Sequence, residues 1–273
     1  MRLNQARHPE SLYIKTTDKI LGIQEAQKAF NQKLETDIES GNFSEIKNTL
    51  ATIMEETLTE PRSGSLEGIS NTMDILNEYL TSSDVIKNLL DVSNTDYSTI
   101  MHSINVMTFA LGFAVHSKYS KANTKILGLA ALLHDVGKTQ ISLEILTAPR
   151  KLTNEEFRLM QQHTVIGYNI LKKCRFDSKE IRRAALDHHE KVDRSGYPNG
   201  KENISEMSHV ISIIDCYEAL TNDDRPYRNA MAAYEALDLI KRDVEAGKFS
   251  KHVFEGFIRS LVSTKAQPQD RLN

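Results

Sequence analysis

The sequence lacks a charge excess of either sign. Thirty-four Lys and Arg stand against 37 Asp and Glu, for a net charge of −3 and a pI near 6.3. A general DNA- or RNA-polymer binder, with its basic face or high pI, is therefore excluded. A local basic pocket for a phosphorylated small molecule is not. Cysteine is equally scarce: Cys174 and Cys216 have no paired spacing and read as free thiols of a reducing compartment. No apolar run reaches bilayer length, and the N-terminus has no signal-peptide core, so a soluble, cytoplasmic protein without membrane contact is expected. Strand patterns and internal repeats are missing too. What is present is 40% hydrophobic composition over 273 residues, enough for one large domain with a smaller extension.

The apolar spacing is helical. Thr17 to Leu58 reads as helix, with Ile20, Ile23, Ala26, Phe30 and Leu34 recurring every three or four residues. The stretch Glu60–Ser65 breaks it. Further helices are expected near 66–80, 83–92, 98–116 and 125–134. Gly137 follows the last of these as a helix-ending glycine would. Thr153 with Glu156 three residues on is a capping-box start. Helices carrying His163 and Tyr168, then 178–188, 205–221, 230–245 and 250–262, complete the reading. Residues 1–62 are expected to form an N-terminal helical segment that braces, regulates or dimerises. Residues 63–265 would form the main domain and 266–273 a frayed tail.

Five of the nine histidines fall in a suggestive set: His102, His134, His163, His188 and His189, joined by Asp135 and Asp215. A carboxylate inside an apolar stretch, as Asp215 is in Ser-Ile-Ile-Asp-Cys-Tyr, must be paired or bind metal. His134-Asp135 after Leu-Leu meets the same demand twice over. Adjacent residues at a helix end point in different directions, so His134 can bind one metal while Asp135 lies between two. Imidazoles and carboxylates without thiolate suit iron or manganese and tolerate zinc, nickel or cobalt. Two such metals acidify bound water and clamp the oxygens of a phosphoryl displacement. His8, His116, His209 and His252 lack this context and read as surface or structural.

In order along the chain, His102, His134-Asp135-Val-Gly-Lys138, His163, His188-His189-Glu190, Gly196-Tyr197-Pro198, Asp215 and Arg225-Pro-Tyr-Arg228 resemble the HD-GYP branch of the HD phosphohydrolase superfamily, over about Leu66 to Val262. The resemblance implies an all-α HD-domain helical bundle with the HD-GYP extension and a cyclic-dinucleotide phosphodiesterase, usually for cyclic di-GMP. It implies two divalent metal ions, one held by His102, His134, Asp135 and Asp215, the other by Asp135, His163, His188 and His189. It also implies that Lys138, Tyr197, Arg225 and Arg228 meet the ligand. Lys138 would place a cation on the phosphoryl oxygens or protonate the leaving oxygen. Glu190 is a candidate to orient a ligand histidine, and Asp193 to cap its loop.

Three positions depart from the family pattern. Ser98 stands where some members carry a glutamate supporting a third metal, so two are expected here. Arg194 replaces a glycine beside the Gly-Tyr-Pro turn and sets a long cation near the substrate, leaving base preference open between cyclic di-GMP and 3′,3′-cyclic GMP-AMP. The link from Asp215 to Arg225 is one residue longer than usual. Two alternatives remain: another HD-type phosphohydrolase acting on nucleotides, and a signalling module that binds a cyclic dinucleotide or a protein partner without turnover, against which stands the full set of candidate ligand residues.

Overall fold

The computed structural model describes residues 16–59, 65–80, 83–90, 99–174, 178–222 and 230–264. Ser98, Arg225 and Arg228 lie outside them. Among the described residues every regular element is helical. The expected single helix over 17–58 is two: α1 (Thr16–Ser40) and α2 (Phe43–Thr59). Gly41 separates them at φ 67°, a left-handed position that glycine occupies without a steric penalty. The Asn42 side chain then accepts the Glu45 N–H at 3.3 Å to start α2. Lys33 of α1 bridges the pair, 2.8 Å from Asp37 and 3.0 Å from Thr49 of α2.

Next come α3 (Ser65–Tyr79), α4 (Ser83–Leu90), α5 (Thr99–His116) and α6 (Lys121–Leu133). Ser120 caps α6 by accepting the Asn123 N–H, so this helix starts four residues before the expected Lys125. α5 is the axis of the molecule, packed by α2, α4 and α6, and it buries Ile104, Val106, Met107, Ala110, Leu111 and Phe113. It is long and apolar enough to cross a bilayer by composition, against the expectation that no run would be. Its burial under its neighbours gives the physical reason for that composition: a helix buried nearly all round must be apolar nearly all round.

A 3-10 segment (Val136–Gln140) and the short α7 (Leu143–Leu146) follow, neither visible in the apolar periodicity. Then come α8 (Asn154–Gln161), α9 (His163–Lys173), α10 (Lys179–Asp187), α11 (Glu206–Thr221), α12 (Ala233–Glu245) and α13 (Lys251–Thr264). The capping box is present: Thr153 Oγ1 accepts the Glu156 N–H at 3.2 Å, and Glu156 accepts the Thr153 N–H at 2.8 Å. α11 and α13 pack on α5, and α10 packs on α6, α9 and α11. The α5–α6–α9–α10–α11 group thus carries the seven predicted ligand residues into one interior.

Gly137 has a different role from the expected helix stop. It sits inside the 3-10 segment and is not among the left-handed glycines. A Cβ there would run into the His163 carbonyl and the Gly167 amide of α9. Its need is for space, because the backbone after His134-Asp135 lies directly on the start of α9. Two alanine substitutions therefore have opposite outcomes in urea unfolding. Gly137→Ala forces backbone apart and should destabilise by about 1–3 kcal/mol. Gly22→Ala, inside α1 with open space around it, should stabilise by about 0.5–1 kcal/mol.

Candidate metal centre

The seven predicted ligand residues come from six elements and meet. His102 is in the first turn of α5, His134 closes α6, and Asp135 opens the 3-10 segment. His163 begins α9, His188 closes α10 with His189 after it, and Asp215 lies midway along α11. His102, His134, Asp135, His163 and His188 are buried. Two groups of three have ligand atoms within 4.8 Å of one another: His102, His134 and Asp135; and His163, His188 and His189.

Local backbone fixes the tautomers. His134 Nδ1 lies 2.6 Å from the Ala131 carbonyl, His163 Nδ1 2.7 Å from that of Met160, and His188 Nδ1 3.0 Å from that of Ala184. A carbonyl only accepts, so each Nδ1–H donates and each Nε2 presents a lone pair inward. His163 Nε2 and His188 Nε2 then face each other at 3.3 Å as two acceptors. Lone pairs in that relation repel unless a cation stands by them.

Asp135 joins the two groups, one oxygen to each. Its Oδ1 is 3.3 Å from His163 Nε2 and 3.7 Å from His188 Nε2. Its Oδ2 is 3.3 Å from His134 Nε2 and 3.7 Å from His102 Nε2, and it pairs with Lys138. His134 Nε2 and Asp135 Oδ1 are buried with no hydrogen-bond partner among the described residues. Buried polar atoms are rarely left so, and inward lone pairs of imidazole and carboxylate are what divalent ions take. The residues fit divalent metal, with one Asp135 oxygen turned to each histidine group. Asp215 completes the His102 side, its Oδ1 3.0 Å from His102 Nε2, and its Oδ2 lies 4.0 Å from His189 Nδ1.

The electrostatics diverge within this small volume. Burial opposes charge on His102, but Glu218 and Asp215 beside it raise its pKa to about 9. Burial dominates at His163, which falls to about 3, and at His189, held well below its ordinary value. Burial would raise Asp135 and Asp215. Lys138 and His134 more than offset this at Asp135, and His102 and His189 at Asp215, so both stay well below the carboxylate range.

The loop after α10 roofs the cluster. The Tyr197 ring stacks on His189 with centroids 4.7 Å apart and planes at 29°. Gly196 lets the turn close, for reasons of space: a Cβ there would strike the backbone of His189 to Lys191. Glu190 differs from its expected role of orienting a histidine. It is buried, and its two oxygens accept the N–H groups of Asn199 at 2.8 Å and Lys201 at 3.2 Å. It holds the returning limb of the loop. Asp187, buried beneath, pairs with Lys201. Asp193 caps the turn as expected, accepting from the Ser195 N–H at 2.9 Å.

Arg194 takes a left-handed φ of 67°, the conformation that makes glycine the usual residue there. Its side chain is 66% exposed and pairs with Glu202 on the outside of the loop, turned toward the loop's own acid and not placed against the histidines. Arg225 and Arg228 lie outside the described residues.

Sequence reasoning missed Glu218. It sits one helical turn after Asp215, buried, and its Oε2 pairs with His102 Nδ1. Asn105 and Asn222 donate to its other oxygen at 3.0 and 2.7 Å. Carboxylates so placed orient a ligand imidazole and raise its basicity. The signal was available: a second acid on the buried face of an apolar helix incurs the same cost that singled out Asp215.

Residues 84–253 match the profile described as HD domain. A cyclic di-GMP phosphodiesterase of Pseudomonas aeruginosa is 32% identical over 209 residues, 74% of this chain and 50% of that protein. A 3′3′-cGAMP-specific phosphodiesterase of Vibrio cholerae is 30% identical over 67% of this chain and 42% of that one. The chain spans about half the length of these curated relatives. Among solved structures, Bd1817, a HDG"Y"P protein of Bdellovibrio bacteriovorus, superposes with a TM-score of 0.66 at 18% identity, over 84% of this chain and 72% of that one. That likeness carries the fold. With the helical bundle, the buried His-Asp pair and the family match in agreement, the chain belongs to the HD-domain family.

Proposed function

We propose that the chain is a di-metal phosphodiesterase of cyclic dinucleotides, with cyclic di-GMP as the first substrate and the linear dinucleotide pGpG as product. Hydrolysis onward to GMP belongs to the same reading. The observation that carries it is the Asp135 carboxylate, which offers Oδ1 to one histidine group and Oδ2 to the other. In this reading His102, His134, Asp135 and Asp215 hold one ion, and Asp135, His163, His188 and His189 the second. The all-N/O donor set favours iron or manganese. When bound, the pair supplies charge neutralisation and an acidified water.

The chain's own residues do the rest. Lys138 is partly exposed while its ammonium touches Asp135, so it can turn to a phosphoryl oxygen or give a proton to the departing 3′ oxygen. The Tyr197 phenol, raised by burial and by Asp215 and Asp135, stays protonated at neutral pH and can donate a hydrogen bond to the ligand. Arg225 and Arg228 supply forked donors for phosphate or guanine. Arg194, paired with Glu202, is a further candidate contact. A second reading, 3′,3′-cyclic GMP-AMP as preferred substrate, draws support from the Vibrio cholerae relative.

Two experiments follow. Protein loaded anaerobically with iron or manganese should release linear product from cyclic di-GMP or cyclic GMP-AMP. His134→Ala, Asp135→Ala and His189→Ala should each lower kcat by at least about 100-fold and reduce bound metal. Retention of both metal and turnover in all three would remove the assignment. Glu218→Gln keeps the shape but takes the anion from His102 Nδ1. It should weaken metal binding by about 10- to 100-fold in chelator competition while leaving the fold intact by circular dichroism. Unaltered affinity would deny Glu218 its positioning role.

A further inference from the structure

We propose that Phe157 is a nucleobase-stacking residue of the substrate site and sets its preference for dinucleotides over smaller phosphodiesters. The inference rests on the phosphodiesterase reading above. Among the described site residues, solvent reaches some side chains and not others. The side chains of His189, Lys138 and Asp215 are 26%, 22% and 14% exposed, while His102, His134, His163 and His188 are at 1% or less. Tyr197 stands on His189, the most exposed of these. The Phe157 ring meets Tyr197 edge-on, with centroids 6.3 Å apart and planes at 79°. The rings of His189, Tyr197 and Phe157 therefore form a series leading from the ligand cluster outward.

Phe157 is 48% exposed, and α8 contains no buried residue at all. The helix is not held by a core face. It is fastened locally, by the Thr153–Glu156 capping box and by Arg150, whose two terminal nitrogens each lie 2.7 Å from a Glu156 oxygen. Gln162 alone separates α8 from α9, which begins at the ligand residue His163, so the ring is fixed relative to the cluster. Leu159, the other exposed apolar residue of α8, lies about 200° around the helix. The exposure of Phe157 is thus not one edge of a broad docking stripe. A half-exposed aromatic at the outer end of this series of rings matches the platform that bases use, since every base has a π-face.

The test compares wild type, Phe157→Ala and Phe157→Tyr with two substrates: the cyclic dinucleotide that wild type turns over, and bis(p-nitrophenyl) phosphate, a diester without a base. Phe157→Ala should raise KM for the cyclic dinucleotide about tenfold with a much smaller change in kcat. Its selectivity, the ratio of kcat/KM values for the two substrates, should fall by a similar factor, and Phe157→Tyr should restore it. A cyclic-dinucleotide KM equal to wild type overturns the inference, as does an equal loss on both substrates. Wild-type hydrolysis of the small diester without turnover of any cyclic dinucleotide would instead remove the functional reading beneath it, and the inference with it.

Discussion

A carboxylate buried among imidazoles sets the terms for the rest of this molecule. Asp135 is removed from water, a step that costs several kcal/mol for an isolated ion. It faces four Nε2 atoms, three of which are fixed as lone pairs by their own helix carbonyls. Only cations resolve such an arrangement. Lys138 supplies one from within the chain, and divalent ions are the other cations that such a donor set suits. The surrounding bundle is built to keep these groups facing each other. α5 and α6 provide the floor, the Gly137–Gly167 crossing brings α9 against the 3-10 segment, and Glu218 with its two asparagines fixes His102 from behind.

The loop between α10 and α11 is a second construction on the same foundation. Its backbone N–H groups dock on the buried Glu190, and Lys201 docks on Asp187. These anchors place Tyr197 over His189 without any regular secondary structure. They also explain how Arg194 is tolerated in a left-handed conformation. Anchors on both limbs impose the turn, and the surrounding structure outweighs the local preference for glycine.

Much of this was legible in the sequence, and the omissions have physical causes. Most helices were visible from an apolar stripe at helical spacing, α8 from its capping box, and α7 not at all. The division at Gly41 was missed because helical spacing continues on both sides of it and only the register of the stripe changes: Leu34 and Ile46 would lie about 120° apart on one continuous helix. The candidate ligand residues stood out because polar and charged groups in apolar context need partners, and the structure brings all seven together. Glu218 was passed over although the same argument applied to it. Glu190 was assigned to a histidine because only its closeness in sequence was visible, whereas its partners, Asn199 and Lys201, lie across a turn that spacing does not reveal. Gly137 looked like a helix cap because its crossing with α9 is a tertiary fact.

The HD-domain match and the fold agree with a phosphohydrolase architecture, and the shared carboxylate is where that agreement becomes chemistry. The most direct measurement is anomalous diffraction from crystals of the manganese- or iron-loaded protein. Two peaks, one beside each oxygen of Asp135 and separated by about 3.5–4 Å, are the expected result. A single ion on one histidine group, or ions bound away from Asp135, would contradict the account.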